Sequence, residues 1–125
     1  MWKTFIMQIL VILILSKNIS IMQNLYSLWE KIILVVAKDI PKAKILTWFR
    51  NSAILACDEK TATIGLSREF YLSFHEKNTR RFIEEAFRQE FSGFEKIDFV
   101  IDGALENEKS GLTVDLFNLF PKSQV

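Results

Sequence analysis

Cysteine, histidine, proline and glycine are all scarce in this chain of 125 residues. The single cysteine, Cys57, excludes an internal disulfide framework. With only one histidine, His75, beside it, a Cys/His zinc site is excluded too. The four glycines are Gly65, Gly93, Gly103 and Gly111, and no two are three apart. That excludes a Gly-x-x-Gly clamp on backbone phosphates. No Gly-x-x-x-x-Gly-Lys-Ser/Thr loop occurs either, so a P-loop nucleotide site is excluded. Charge of one sign is also missing. The net charge is +1, too small to set up a general field for nucleic acid. What is present is apolar: 50% of residues are hydrophobic, with eleven Phe and three Trp. Those side chains can bury a core, which excludes disorder over the whole length. The length suits one domain.

Apolarity is concentrated at the start. Residues 5–15 are all apolar except Gln8, with Lys3 before them and Lys17 after. A regular membrane span needs about 20 residues, so this run is short for one. Three readings stand for residues 1–21. They are a spurious extension ahead of a native start at Met22, a signal or anchor, or a helix packed on the domain. Without them the chain has 14 basic and 15 acidic residues, a net of −1.

From residue 22 the periodicity is informative. Leu25, Leu28, Trp29, Ile32, Ile33 and Val36 form one face of a 3.6-residue repeat, with Asn24 as the expected N-cap. Pro41 ends that helix and opens a second. Ile45, Trp48 and Phe49 of the second helix are expected to face the first. Residues 53–57 and 61–66 read as a β-hairpin around Asp58-Glu59-Lys60. Ser67 is the expected N-cap of the next helix, which carries Phe70 and Phe74 one turn apart. Lys77 to Arg81 break the apolar pattern, so a kink or break is predicted near Asn78. Ser92-Gly93 ends the helical stretch. Ile97, Phe99 and Ile101 alternate as a third strand. Residues 103–113 read as a linker, and the apolar residues 114–120 as a docked tail or the start of a further element. The order is helix, helix, strand, strand, helix or two, strand: a small α+β domain with a three-stranded sheet packed on helices.

This order resembles the N-terminal domain of the bacterial chromosomal replication initiator DnaA, over about Leu25 to Asp102. The resemblance is carried by Leu28-Trp29 early in the first helix and Trp48 after Pro41. Thr63-Ile64-Gly65-Leu66 followed by Phe70 completes it. Phe74, Thr79 and Lys44 depart from the family's usual Trp, aromatic and acidic residues. The resemblance implies a KH-like fold and a division into an extension (1–21), the domain (22–102) and a linker with tail (103–125). It implies a cytoplasmic protein-interaction module, not an enzyme, with no cofactor. Its implied partners are a second copy, a replicative helicase or an initiator regulator, and, weakly, single-stranded DNA. The chain would then be a fragment of an initiator or a free-standing version of its first domain. Trp29 would serve self-association, and Lys44 and Phe70 helicase or regulator contact. The alternative to this module is a membrane-anchored or exported small binding domain, with residues 1–21 retained and residues 5–15 as the attachment.

The residues themselves weigh on those roles. Trp29 lies on the apolar stripe, where core packing is the competing reading. Lys77, Arg80 and Arg81 are the best basic cluster for nucleic acid. Glu76, Glu84 and Glu85 dilute it, and i, i+4 ion pairing on a solvated helix is the reading preferred here. Catalysis finds no support. Cys57 falls inside a strand as a small hydrophobe. Glu84 and Glu85 are adjacent on a helix and cannot converge on one site.

Overall fold

A computed structural model describes residues 2–106 and 113–120. Its element order is α1 (Trp2–Val36), α2 (Lys42–Trp48), β1 (Ala53–Cys57), β2 (Thr61–Leu66), α3 (Glu69–Asn78), α4 (Arg80–Glu90) and β3 (Lys96–Ile101). A 3₁₀ turn (Gly103–Glu106) and a short α5 (Leu116–Leu119) follow. The fold is a small α+β domain, as the pattern predicts. The sheet is mixed, in the order β1-β2-β3: β1 pairs antiparallel with β2, and β2 parallel with β3. A parallel pair needs a crossover, and α3 with α4 supply it.

Helix α1 starts far earlier than its periodic face suggests. Neither Gly nor Pro occurs before Pro41, so nothing breaks the helix upstream of Asn24. Asn24 therefore sits inside α1 and caps nothing. The apolar stripe behaves as expected: Trp29, Ile32, Ile33 and Val36 are buried, with Leu25 and Leu28 half-buried. Among residues 1–21, the side chains of Ile6, Met7, Ile9, Leu10 and Ile12 are exposed, so these five do not pack on the domain. Among the described residues, no helix is long and apolar enough to cross a membrane.

Trp29 is 1% exposed and sits at the centre. Its indole N–H donates to Ser52 Oγ at 3.0 Å, and Ser52 donates in turn to the Phe49 carbonyl at 2.6 Å. The Phe49 ring lies 5.9 Å from the indole. One side chain of α1 thus holds both the end of α2 and the entry to β1. Asn51, between them, takes a left-handed φ of 56°, a conformation Asn tolerates better than most residues.

The hairpin follows its pattern. Ala62, Ile64 and Leu66 face the helices, while Thr61, Thr63 and Gly65 take the opposite side. Asp58 closes the turn by accepting from the N–H groups of Lys60 and Thr61, both at 2.8 Å. Those two bonds hold its carboxyl below the usual carboxylate range. On the outer face, a Cβ on Gly65 would come within 2.8 Å of both Leu55 Cδ1 and Leu105 Cδ1. The missing side chain is what lets Leu105 of the 3₁₀ turn close over the sheet.

Ser67 does not cap α3. Its hydroxyl is buried without a partner, and Arg68 takes the N-cap position with no side-chain bond. The reason lies in the sheet, where the Leu66 carbonyl accepts from Asp102 N–H and draws the adjacent residue inward. The kink or break predicted near Asn78 is a break at Thr79, between α3 and α4. In the supposed linker, Leu105 is fully buried, and residues 107–112 lie outside the described residues. The tail is docked: Val114 and Leu116 are buried, Asp115 caps α5, and the Tyr26 hydroxyl accepts from Asp115 N–H at 3.3 Å.

Replacing Trp29 tests its central place. Trp29→Ala is expected to destabilise the domain by about 3–5 kcal/mol, the range for a buried aromatic. Urea unfolding measures this, and a loss under about 1 kcal/mol would contradict a core position.

Candidate protein-docking surface

The C-terminal turn of α2 and the first two turns of α3 bring four aromatic rings together. Trp48 stacks on Phe74, with centroids 3.9 Å apart and planes within 6°. Phe70 and Tyr71 meet the same indole edge-on at 6.2 and 6.1 Å. Phe70 and Tyr71 lie 4.2 Å apart. Tyr71 is buried beneath, Trp48 and Phe74 are half-buried, and Phe70 is 51% exposed. The i, i+4 spacing of Phe70 and Phe74 puts both on one side of α3. Trp48 was expected to face α1. It faces α3 instead, because Ile45 and Phe49 already fill the space next to α1.

Beside the rings runs a shallow groove of about 210 Å³, lined by Ile40, Pro41, Lys44, Phe74, Asn78 and Phe82 among others. Lys44 is exposed on its rim. Lys44 and Phe70 therefore belong to one surface, with Trp48 and Phe74 between them. Trp29 does not belong to it. It is enclosed in the core and presents no surface to a partner.

His75 fixes this surface from below. Its ring is 1% exposed. Nε2 lies 2.8 Å from the Trp48 carbonyl, which can only accept, so Nε2 carries the proton. Nδ1 then accepts from the Thr79 hydroxyl at 2.6 Å. The imidazole is packed between Phe49 at 4.7 Å, Phe74 at 5.6 Å and Phe99 at 5.8 Å. Burial pushes its pKa down to about 4, against a partial opposing pull from the Trp48 carbonyl. The neutral ring ties the last residue of α2 to the junction of α3 and α4. Sequence reasoning passed over Trp48, Phe74 and His75 as site residues. The signal available was the Phe70/Phe74 spacing together with a lone histidine one residue on.

Arg80 behaves as the ion-pairing reading expects, whereas among the described residues Arg81 makes no ion pair and Glu85 pairs with Arg88 instead. Arg80 donates to Glu76 Oε2 at 3.0 Å and Oε1 at 2.5 Å, and lies 3.6 Å from Glu84. It also donates to the Ile97 carbonyl at 2.6 Å and covers the Phe99 ring at 5.1 Å. Glu84 accepts from Ile97 N–H at 3.0 Å. Arg80 and Glu84 thus cap the outer edge of β3, and the guanidinium is spent inside the fold. The neighbouring guanidinium holds the Glu76 carboxyl below its ordinary range. Lys77 and Arg81 stay exposed, Arg81 over the Phe82 ring at 4.7 Å. Cys57 is half-buried at the end of β1, and desolvation pushes its thiol pKa up. Among the described residues, no group of three His, Cys, Asp or Glu side chains could hold a metal.

No protein-family model matches the chain, and no curated protein matches it.

The buried imidazole generates a pH prediction. Between the ordinary histidine value of 6.5 and the folded value of about 4, the unfolded chain binds a proton that the folded chain refuses. Stability therefore falls as pH drops through this window, by up to about 3 kcal/mol from this group, and is flat above it. Urea midpoints measured from pH 7.5 to pH 4.5 check this. His75→Gln is expected to flatten the slope, and an unchanged slope in that variant would assign the dependence to other groups.

Proposed function

We propose that the domain is a protein-interaction module of the replication-initiator type, docking partners on the aromatic surface between α2 and α3. The observation that carries this reading is Phe70, half-exposed on a rigid stack of Trp48 and Phe74. A soluble fold ordinarily hides such rings, and aromatic anchors dominate binding energy at interfaces. The α+β order of helices and strands is compatible with the initiator resemblance, and Lys44 and Phe70, two of the three residues it implicates, lie on this surface, while the third, Trp29, is buried. The partners in this reading are a replicative helicase or an initiator regulator, and a second copy of the chain, acting in the cytoplasm. Trp29 supports self-association only indirectly, by holding α1 in place. The patch is small, so one module binds weakly, and several modules brought together at an origin bind by multivalency. The reading assigns no catalytic step and no cofactor. Single-strand contact is a lesser part of it, because Arg80 is already paired and only Lys77 and Arg81 of the basic cluster stay exposed.

Equilibrium binding to purified replicative helicase, read by fluorescence anisotropy, tests the proposal. Phe70→Ala is expected to raise Kd about tenfold or more while changing stability by no more than about 1 kcal/mol. Lys44→Ala is expected to have a smaller effect. The reading fails if the parent chain, at high micromolar concentration, neither binds the helicase nor self-associates. It fails equally if Phe70→Ala binds as the parent does.

A further inference from the structure

The amino-terminal part of α1 has no role in the docking surface, and its chemistry is distinct. Helical residues advance about 100° each around the axis. Taking Ile6 as zero, Leu10 falls at about 40°, Met7 at about 100°, Ile12 at about 240° and Ile9 at about 300°. All five are exposed, from 44% at Ile9 to 65% at Met7. The five apolar side chains therefore span an arc of about 220°, and the exposed Gln8, at about 200°, lies in the remainder. A helix that docks on one partner helix or on a sheet needs an apolar stripe roughly 100° wide, with a polar remainder. Such a seam would still leave Met7 or Ile12 in water. Lipid acyl chains beneath a headgroup layer cover the whole apolar arc at once.

Charge points the same way. Lys3 and Lys17 flank the run, and the first acidic residue in the chain is Glu30. The segment and its flanks are cationic, while the balance from residue 22 onward is slightly acidic. Cationic flanks complement anionic headgroups, each basic residue near the surface contributing about 1 kcal/mol. Length limits the mode. Residues 5–15 make about 16 Å of helix, against a hydrocarbon core of about 30 Å. The segment is suited to lying beneath the headgroups, and not to crossing.

We propose that residues 5–15 insert into the surface leaflet of an anionic lipid bilayer, with Lys3 and Lys17 at headgroup level. The folded domain then hangs from the same continuous helix. This is independent of the identity of any protein partner. The chain would act as a tether: α1 holds the aromatic surface of α2 and α3 near a membrane through a helix with no glycine or proline in it.

Vesicle flotation of the purified full chain tests this, with phosphatidylcholine vesicles carrying phosphatidylglycerol and with phosphatidylcholine alone. The expected result is flotation with the anionic vesicles that survives a wash in about 1 M salt, with weaker binding to the neutral ones. The double substitution Ile9→Glu/Ile12→Glu is expected to cut the bound fraction about tenfold or more. Both positions are exposed, so the thermal midpoint of the domain stays unchanged and a folding defect is separable. Complete release by salt would reduce the contact to surface charge and overturn insertion. So would unchanged flotation of the double variant or no flotation at all, and equal binding to the two vesicle types would overturn the part assigned to Lys3 and Lys17. A lipid-free oligomer of the parent that the double variant loses, seen by sedimentation, would make a second copy the occupant.

Discussion

The bond from the Trp29 indole to Ser52, with the Phe49 ring beside it, is the point on which the rest of the domain depends. An indole N–H placed in a core without an acceptor costs a few kcal/mol, so its partner must be supplied at one position only. Ser52 supplies it while donating to the Phe49 carbonyl, and this fixes the turn that leads into β1. Once β1 is placed, the hairpin sets β2, and the crossover through α3 and α4 returns β3 alongside β2. A single polar contact inside an apolar cluster therefore fixes where α1 is seated against the entry to β1.

A second buried polar group does the same for the surface. His75 is held neutral because its cavity is apolar and its two nitrogens are matched to one acceptor and one donor. It joins the end of α2 to the junction of α3 and α4, so the rings above it are carried on a rigid base. Rigidity matters for a docking patch, because side chains already ordered lose less freedom on binding. Arg80 and Glu84 play the corresponding part at β3. They satisfy the open edge at Ile97 with side chains from α4, which blunts a strand edge that another chain could otherwise pair with.

Much of this was legible from residue order. The stripe from Leu25 to Val36, the Pro41 boundary, the Asp58 turn and the alternation from Thr61 to Leu66 each follow from a local rule, and the fold obeys them. The misses share a cause. Asn24 and Ser67 have the chemistry of helix caps, but a cap acts only where a helix begins. The first lies inside a helix that nothing interrupts, and the second is held by the sheet. Trp48 was given the wrong neighbour because a period of 3.6 residues shows which positions share a face, not which element that face meets. Lys44 and Phe70 were named from resemblance, and only their placement beside Trp48 and Phe74 makes them one surface.

The sequence by itself determined the class of fold, the order of its elements and the composition of its core, because those depend on periodicity, turn chemistry and apolar content. It also determined that the amino-terminal run is apolar apart from Gln8 and flanked by lysines. Only the tertiary structure decided that Trp29 is interior, that Arg80 also reaches the Ile97 carbonyl, and that His75 is a buried neutral strut. Each of those outcomes depends on partners far apart in the chain, 23 residues from Trp29 to Ser52 and 27 from His75 to Trp48. Local spacing carries no information about which distant groups will meet, and it is their meeting that separates a core residue from an exposed one.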